Sequence, residues 1–256
     1  MGNGSAGEQS GFMVLYAVLT ILLLPAAAVI AIYASRIRFS KRLVAKTVPA
    51  QSCPERCRST IVVAGDSTAF GVGALPAEST AGRLAAAYPH ARVINVARSG
   101  ARIGHVLEQL EGVDCKCVDL ILIQACANDV LEFRSARQLV QDLRATIARA
   151  KAMSRNVVLM PGHNFGVAPF FLRGISRVIS WHGQRLYKVA TRVAAELGVT
   201  FVDLLAHQTN ELFAREPRRY YCPDLLHPSG DGYALWFATL VAQVPLAQFL
   251  SGQGSD

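Results

Sequence analysis

From residue 59 onward the chain alternates short apolar runs with longer helical patterns, and this constrains its fold more than any other feature. The runs Thr60–Ala64, Arg92–Val96, Val118–Gln124, Asn156–Met160 and Val199–Val202 are rich in Val, Ile and Leu, with little two-residue alternation. Strands of that kind are buried on both faces. Helices are predicted over 78–88, 103–111, 135–152, 175–197 and 230–250. Strands alternating with helices predict a parallel sheet covered on both sides, here over 59–250. With 256 residues the chain has room for one such domain and an N-terminal extra. In an open parallel sheet, ligands bind beyond the carboxyl ends of the strands, near the point where strand order reverses. The loops that follow the strands are therefore expected to carry the chemistry.

The N-terminal extra, residues 1–34, is of another kind. Phe12 to Tyr33 is apolar except for Thr20, and no charged residue lies between Glu8 and Arg36. As a helix this run spans about 33 Å, enough to cross the hydrocarbon core of a bilayer. A cleaved secretory signal is the competing reading, but residues 1–11 hold no Lys or Arg and the run is longer than a signal core. An uncleaved transmembrane anchor is expected, with Pro25 tolerated inside it. Met1-Gly2 resembles a myristoylation start, although Ala6 stands where Ser or Thr is needed. The formal net charge is +8, and Arg36, Arg38, Lys41, Arg42 and Lys46 crowd the C-terminal flank of the apolar run. Residues 35–58 are expected to form a basic linker, and by the positive-inside rule the larger domain faces the cytoplasm. No nucleic-acid-binding motif accompanies the charge, so nucleic acid is not an expected partner.

Four loops after predicted strands contain unusual residues. The first reads Gly65-Asp66-Ser67-Thr68 and continues to Gly71 and Gly73. Such a turn exposes a serine hydroxyl beside a free backbone N–H, as a nucleophile and its oxyanion require; a phosphate-binding turn has similar composition. Neither a P-loop motif nor Gly-x-Ser-x-Gly is present. The second loop contains Gly100, either an N–H donor unobstructed by a Cβ or an ordinary loop glycine. The third, Cys126-Ala127-Asn128-Asp129, offers the Asn128 amide as an oxyanion donor or as a helix cap, with Asp129 as a cap or structural hydrogen-bonder. The fourth, Asp224-Leu225-Leu226-His227, lies between Pro223 and Pro228. Its carboxylate can fix an imidazole tautomer for proton abstraction, or the two residues are an unrelated surface pair.

Together these blocks resemble those of the SGNH, or GDSL-like, serine hydrolases, in order and over residues 60–240. The resemblance implies a three-layer α/β/α flavodoxin-like sandwich with a five-stranded parallel sheet. It implies Ser67 as nucleophile, Asp224 and His227 as the acid/base pair, and the Ser67 N–H, Gly100 N–H and Asn128 side chain as oxyanion hole. No cofactor or metal is implied. Thr68 departs from the family's Leu, and Cys126 stands where Gly is usual.

The implied activity is hydrolysis of small or lipid-derived acyl esters, with lysophospholipid-like substrates suggested by the anchor. The competing readings are a carbohydrate O-deacetylase, a non-catalytic binding module on the same fold, and a phosphate or nucleotide binder. Phe165, Phe170 and Phe171, in the loop after the fourth strand, are expected to line an acyl pocket or touch a membrane; packing beneath the next helix is the alternative. His163 reads as a loop histidine. In the flavodoxin-like order, Cys53 and Cys57 before the first strand should meet Cys115 and Cys117 before the third. Reduced thiols, disulfides and a structural zinc all remain open for these four, and disulfides would contradict a cytoplasmic domain.

Overall fold

The computed structural model of the chain describes residues 4–115, 117–205 and 207–251. They form two units, one ending at Arg42 and one beginning at Leu43.

The first unit is the greater part of helix α1, Gly4–Lys46, with Pro25 inside it. Among the described residues, Leu23–Lys46 (mean hydropathy 1.3) is long and apolar enough to cross a membrane, by length and composition, as an anchor or a signal sequence. The predicted span Phe12–Tyr33 lies in the same helix; the side chains of residues 14–22 lie outside those described. The predicted linker 35–58 is corrected in its first part, because the helix runs on through the basic block. Arg, Lys, Leu and Ala are good helix formers, and the helix stops only where Pro49 disfavours helical backbone in Val48.

The second unit continues with β1 (Ser59–Gly65), α2 (Ser67–Phe70), α3 (Thr80–Ala87), β2 (Ala91–Asn95), α4 (Ile103–Glu111), β3 (Leu120–Gln124), α5 (Ala127–Leu131) and α6 (Ala136–Met153). There follow β4 (Val157–Leu159), α7 (Arg173–Glu196), β5 (Thr200–Phe201), α8 (His207–Arg215), α9 (Pro217–Tyr220), α10 (Gly230–Gln243) and α11 (Leu246–Leu250). All five strands are parallel, in the order β2-β1-β3-β4-β5. The five-stranded flavodoxin-like sheet expected from the sequence is the one observed. The predicted helix 230–250 is two helices, since Pro245 removes a backbone donor between them. Helices α8 and α9 were not predicted.

Strand alternation sorts the core. Val62, Ala64, Ile121, Ile123, Val157 and Leu159 share one cluster with Ile103 and Val106 of α4, Leu139, Leu143 and Ile147 of α6, and Leu186 and Val193 of α7. The intervening residues Ile61, Val63, Leu120, Leu122 and Val158 are fully or nearly fully buried toward the other face. That is the side of α3, the helix of the right-handed β1–β2 crossover, and of α10 packed beside it. Each buried Leu or Ile side chain contributes about 1.5–3 kcal/mol of transfer free energy.

Strand order reverses between β1 and β3, where Gly65 pairs with Gln124. Only glycine fits at 65: its φ is +150°, and a Cβ would lie 1.9 Å from the Gln124 carbonyl oxygen.

All six cysteines are free thiols. β1 and β3 are neighbours as expected, yet among the described residues no three His, Cys, Asp or Glu form a metal-holding group. Instead the Cys57 thiol donates to the Pro54 carbonyl and the Cys115 thiol to the Cys117 carbonyl, both at 3.2 Å.

Candidate active site

Asp66 builds the turn after β1. Its Oδ1 accepts from the Thr68 N–H (2.8 Å) and the Thr68 hydroxyl (2.7 Å), capping α2 and leaving Ser67 in the helix's first position. Its Oδ2 accepts from the Ala127 N–H at 3.3 Å, joining the first loop to the third. Burial pushes the Asp66 carboxyl above its ordinary pKa; hydrogen bonds from Thr68 and Ala127 and the nearby His227 charge oppose that shift. The side-chain amide of Gln109, from α4, bonds to both polar groups of the Gly65 backbone.

The fourth loop is a tight excursion closed by an antiparallel bridge between Tyr221 and Pro228 and by the Cys222 N–H donating to the His227 carbonyl at 2.9 Å. Leu225 takes a left-handed φ of +65°, strained for a branched side chain. Asp224 Oδ1 accepts from the backbone N–H groups of Leu226 and His227, each at 2.9 Å, and from the Cys222 thiol at 3.1 Å. Its Oδ2 lies 2.5 Å from His227 Nδ1. Burial opposes the charge of this carboxylate, but its bonds to His227 and Cys222 and the imidazole charge outweigh that. The pKa falls well below the usual range. An ionised Asp224 makes Nδ1 the donor, so in the neutral imidazole Nε2 is the acceptor. Ser67 Oγ lies 2.9 Å from that Nε2. Residues 67, 224 and 227 are all buried, with side-chain contacts that form one continuous chain.

Gly100 is exposed, with φ +83° and nothing within 4 Å of where a Cβ would sit. Its loop is fastened to the first by Asn95 Nδ2 donating to the Ala69 carbonyl (2.9 Å) and by the Arg98 N–H donating to the Gly65 carbonyl (3.1 Å). Asn128 Nδ2 donates to the Ala101 carbonyl at 2.9 Å. One of its two amide hydrogens therefore orients the side chain. The position that starts α5 is Cys126, in the left-handed region at φ +93°. Asp129 caps a different helix: its Oδ2 accepts from the Ile103 N–H of α4 at 2.9 Å. The Asp129 pKa is raised to about 6, chiefly by burial and also by the charges of Asp142 and Asp66, against the Ile103 N–H and the Arg134 charge, which lower it.

The three phenylalanines do not share one wall. Phe165 belongs to the core cluster and lines a small apolar pocket with Cys126, Val130, His163 and Tyr187. Phe171 packs against that cluster, and Phe170 is buried edge-on to it, with ring centroids 5.1 Å apart. Among the described residues, packing beneath α7 accounts for Phe165 and Phe171. His163 is buried with Nε2 2.6 Å from the Tyr221 hydroxyl, and burial alone lowers its pKa to about 3. It braces the final loop as a neutral group. Asp66 as a strut between loops, Gln109 and Asn95 were not singled out from sequence. Their partners lie 26 to 61 residues away and leave no local spacing to read.

Residues 63–235, which include all four loops, match the GDSL-like Lipase/Acylhydrolase family. No curated protein matches the chain. Among solved structures, a lipolytic G-D-S-L family protein from Veillonella parvula aligns with TM-score 0.58 at 16% identity, covering 72% of this chain and 97% of its own. An acetylxylan esterase from Geobacillus stearothermophilus aligns with TM-score 0.55 at 20% identity, covering 75% and 97%. An extracellular lipase from Streptomyces rimosus aligns with TM-score 0.52 at 20% identity, covering 73% and 100%. At these identities the structures speak to the fold, while the sequence match over more than half of the chain speaks to descent. The chain belongs to the GDSL-like lipase/acylhydrolase family and is an ester-hydrolysing enzyme.

Proposed function

We propose that the chain is a membrane-anchored serine hydrolase of small or lipid-derived acyl esters, with Ser67 as nucleophile and His227 and Asp224 as its proton relay. The observation that carries this reading is the contact chain from Ser67 Oγ to His227 Nε2 (2.9 Å) and from Nδ1 to Asp224 (2.5 Å). His227 takes the Ser67 proton as Oγ attacks the ester carbonyl. The negative oxygen of the tetrahedral intermediate meets the Ser67 and Gly100 N–H groups and the remaining Asn128 amide hydrogen. His227 then gives its proton to the departing alcohol, leaving an acyl-Ser67. Water, deprotonated by the same imidazole, releases the carboxylic acid and restores the serine. Asp224 stays ionised throughout and stabilises the imidazolium.

Labelling by a fluorophosphonate probe, with Ser67→Ala as control, tests the assignment. Stoichiometric labelling of the native chain and none of the variant is expected. Tight FMN binding with no labelling overturns it in favour of a nucleotide binder, and absence of both in favour of a non-catalytic module. A second reading, carbohydrate O-deacetylation, is favoured by the similarity to an acetylxylan esterase. Turnover of acetylated xylo-oligosaccharides against lysophospholipids in one assay series separates the two. The apolar stretch of α1 supports an anchor, and the basic residues after it support a cytoplasmic catalytic domain. Protease protection of the domain in sealed inverted vesicles would place it on the opposite side.

A further inference from the structure

Helix α7 has two unlike faces. Ile179, Leu186, Ala190 and Val193 are buried in the core. The outward face of its first half carries Val178, 50% exposed, and Trp181, 65% exposed. At 100° per residue, Trp181 falls between Arg177 and Arg185, with Lys188 on the same side; all three cations are exposed, as is Arg173 one turn earlier. The helix has a single acid, Glu196 in its last turn, where it pairs with Arg192 and Arg144. Among the described residues Arg173, Arg177, Arg185 and Lys188 form no ion pair, so the first two thirds of the helix present positive charge around an exposed indole.

Cations alone would suit nucleic acid or an acidic protein. The apolar groups set among them point elsewhere. Indole, valine and the 42%-exposed Ile175 suit the boundary between acyl chains and headgroups, and guanidinium groups beside them meet lipid phosphates. Position agrees. In the loop entering α7, the Phe170 N–H donates to the Leu225 carbonyl at 3.0 Å, and Leu225 follows Asp224. We propose that the outward face of the first two thirds of α7 docks on an anionic lipid surface, turning the side of the domain that carries the Asp224 loop toward the headgroups. The hydrolase reading is not needed for this docking, and the anchor reading enters only through proximity.

The chain's two tryptophans provide the test, because Trp236 is fully buried and Trp181 is not. The full chain is reconstituted into nanodiscs of brominated phosphatidylcholine, alone or with about one third phosphatidylglycerol. Quenching of Trp181 emission at least about threefold greater in the anionic discs, and weakened by salt, is expected. Arg177→Glu/Arg185→Glu/Lys188→Glu should abolish that difference while leaving turnover of a soluble ester in detergent unchanged, which shows that the variant folds. Equal quenching in both lipids, or in the variant, overturns the proposal. So does shielding of Trp181 from acrylamide that needs no lipid and grows with protein concentration, which indicates a second copy, or that appears only with nucleic acid. If the chain fails to enter neutral discs, the anchor reading fails; the native chain against the variant in anionic discs still decides the docking.

Discussion

Gln109 and Gly65 exchange two hydrogen bonds: the Gly65 N–H donates to Gln109 Oε1 at 2.8 Å, and Gln109 Nε2 donates to the Gly65 carbonyl at 2.9 Å. The side chain thus satisfies the end of β1 where the strand gives way to the Ser67 turn. Gln109→Leu leaves a buried N–H without its partner and weakens the hold on the carbonyl, at a cost of about 1–3 kcal/mol. We expect lower stability and, because Ser67 sits two residues on, a fall in kcat for a p-nitrophenyl ester with KM little changed. Urea denaturation and steady-state kinetics read the two effects separately. An unchanged kcat would make Gln109 a purely structural residue.

The Ser67 relay makes ranked predictions. Ser67→Ala should lower turnover by about 10⁴-fold or more. Asn128→Ala should lower it by about 10²–10³-fold, the usual consequence of removing one oxyanion donor. Part of that loss is positional, since the amide also anchors the Ala101 carbonyl. Asp224→Asn retains an acceptor for the Leu226 and His227 N–H groups but can set the wrong imidazole tautomer, so kcat should fall, and Tm should fall with it because the stabilisation from the ionised carboxylate is lost. A Ser67→Ala protein with normal turnover removes the assignment.

The pattern of strands, the four loops and the candidates Ser67, Asp224 and His227, which meet in one contact chain, could be read because each is local. A short β-branched run, a Gly-Asp-Ser turn and an Asp-x-x-His spacing are compact in sequence. What could not be read depends on the fold. α8 is only nine residues long and begins with polar residues, yet its Phe213 is fully buried against His163 and Trp236. The end of α1 looked like a linker because charge suggests a loop, whereas the helix ends at the Val48-Pro49 step. The four outer cysteines precede neighbouring strands, but neighbouring strands alone do not aim side chains at one another.

Those cysteines give a direct measurement. Cys53, Cys57 and Cys117 are exposed and Cys115 is half-buried. Cys126 and Cys222 are buried, and burial together with nearby carboxylates raises both thiols. Iodoacetamide should modify the outer four in the native chain and reach Cys126 and Cys222 only after unfolding. Fewer than four fast thiols that recover on reduction would show disulfides; recovery with a chelator would show zinc.

Cys126 holds a left-handed backbone that glycine adopts without strain. Replacing it by Gly relieves about 1–2 kcal/mol of such strain and loses a buried thiol of comparable worth, so Tm should stay nearly constant. Cys126→Val adds a β-branched side chain at φ +93° and should be clearly destabilising, because Val does not tolerate that conformation. Thermal melts of the pair compare strain against packing at the residue two before Asn128.

Asp129 predicts how stability varies with pH. Its folded pKa of about 6 is above the ordinary 3.8, so between those values the native chain binds a proton that the unfolded chain has released. The contribution is complete below pH 3.8 and is lost as pH rises toward 6, a change of about 3 kcal/mol. Asp66, also raised by burial, acts in the same sense. Asp224 acts in the opposite sense: its folded pKa is depressed, so its stabilisation is present above pH 3.8 and lost at lower pH. Asp129→Asn retains an acceptor for the Ile103 N–H and offers an N–H₂ where Oδ1 has no partner. The variant should flatten the decline between pH 4 and 6 and be the more stable protein at pH 8. Urea midpoints across that range test it, and a native chain whose midpoint falls no faster than the variant's would show that the Asp129 carboxyl titrates normally.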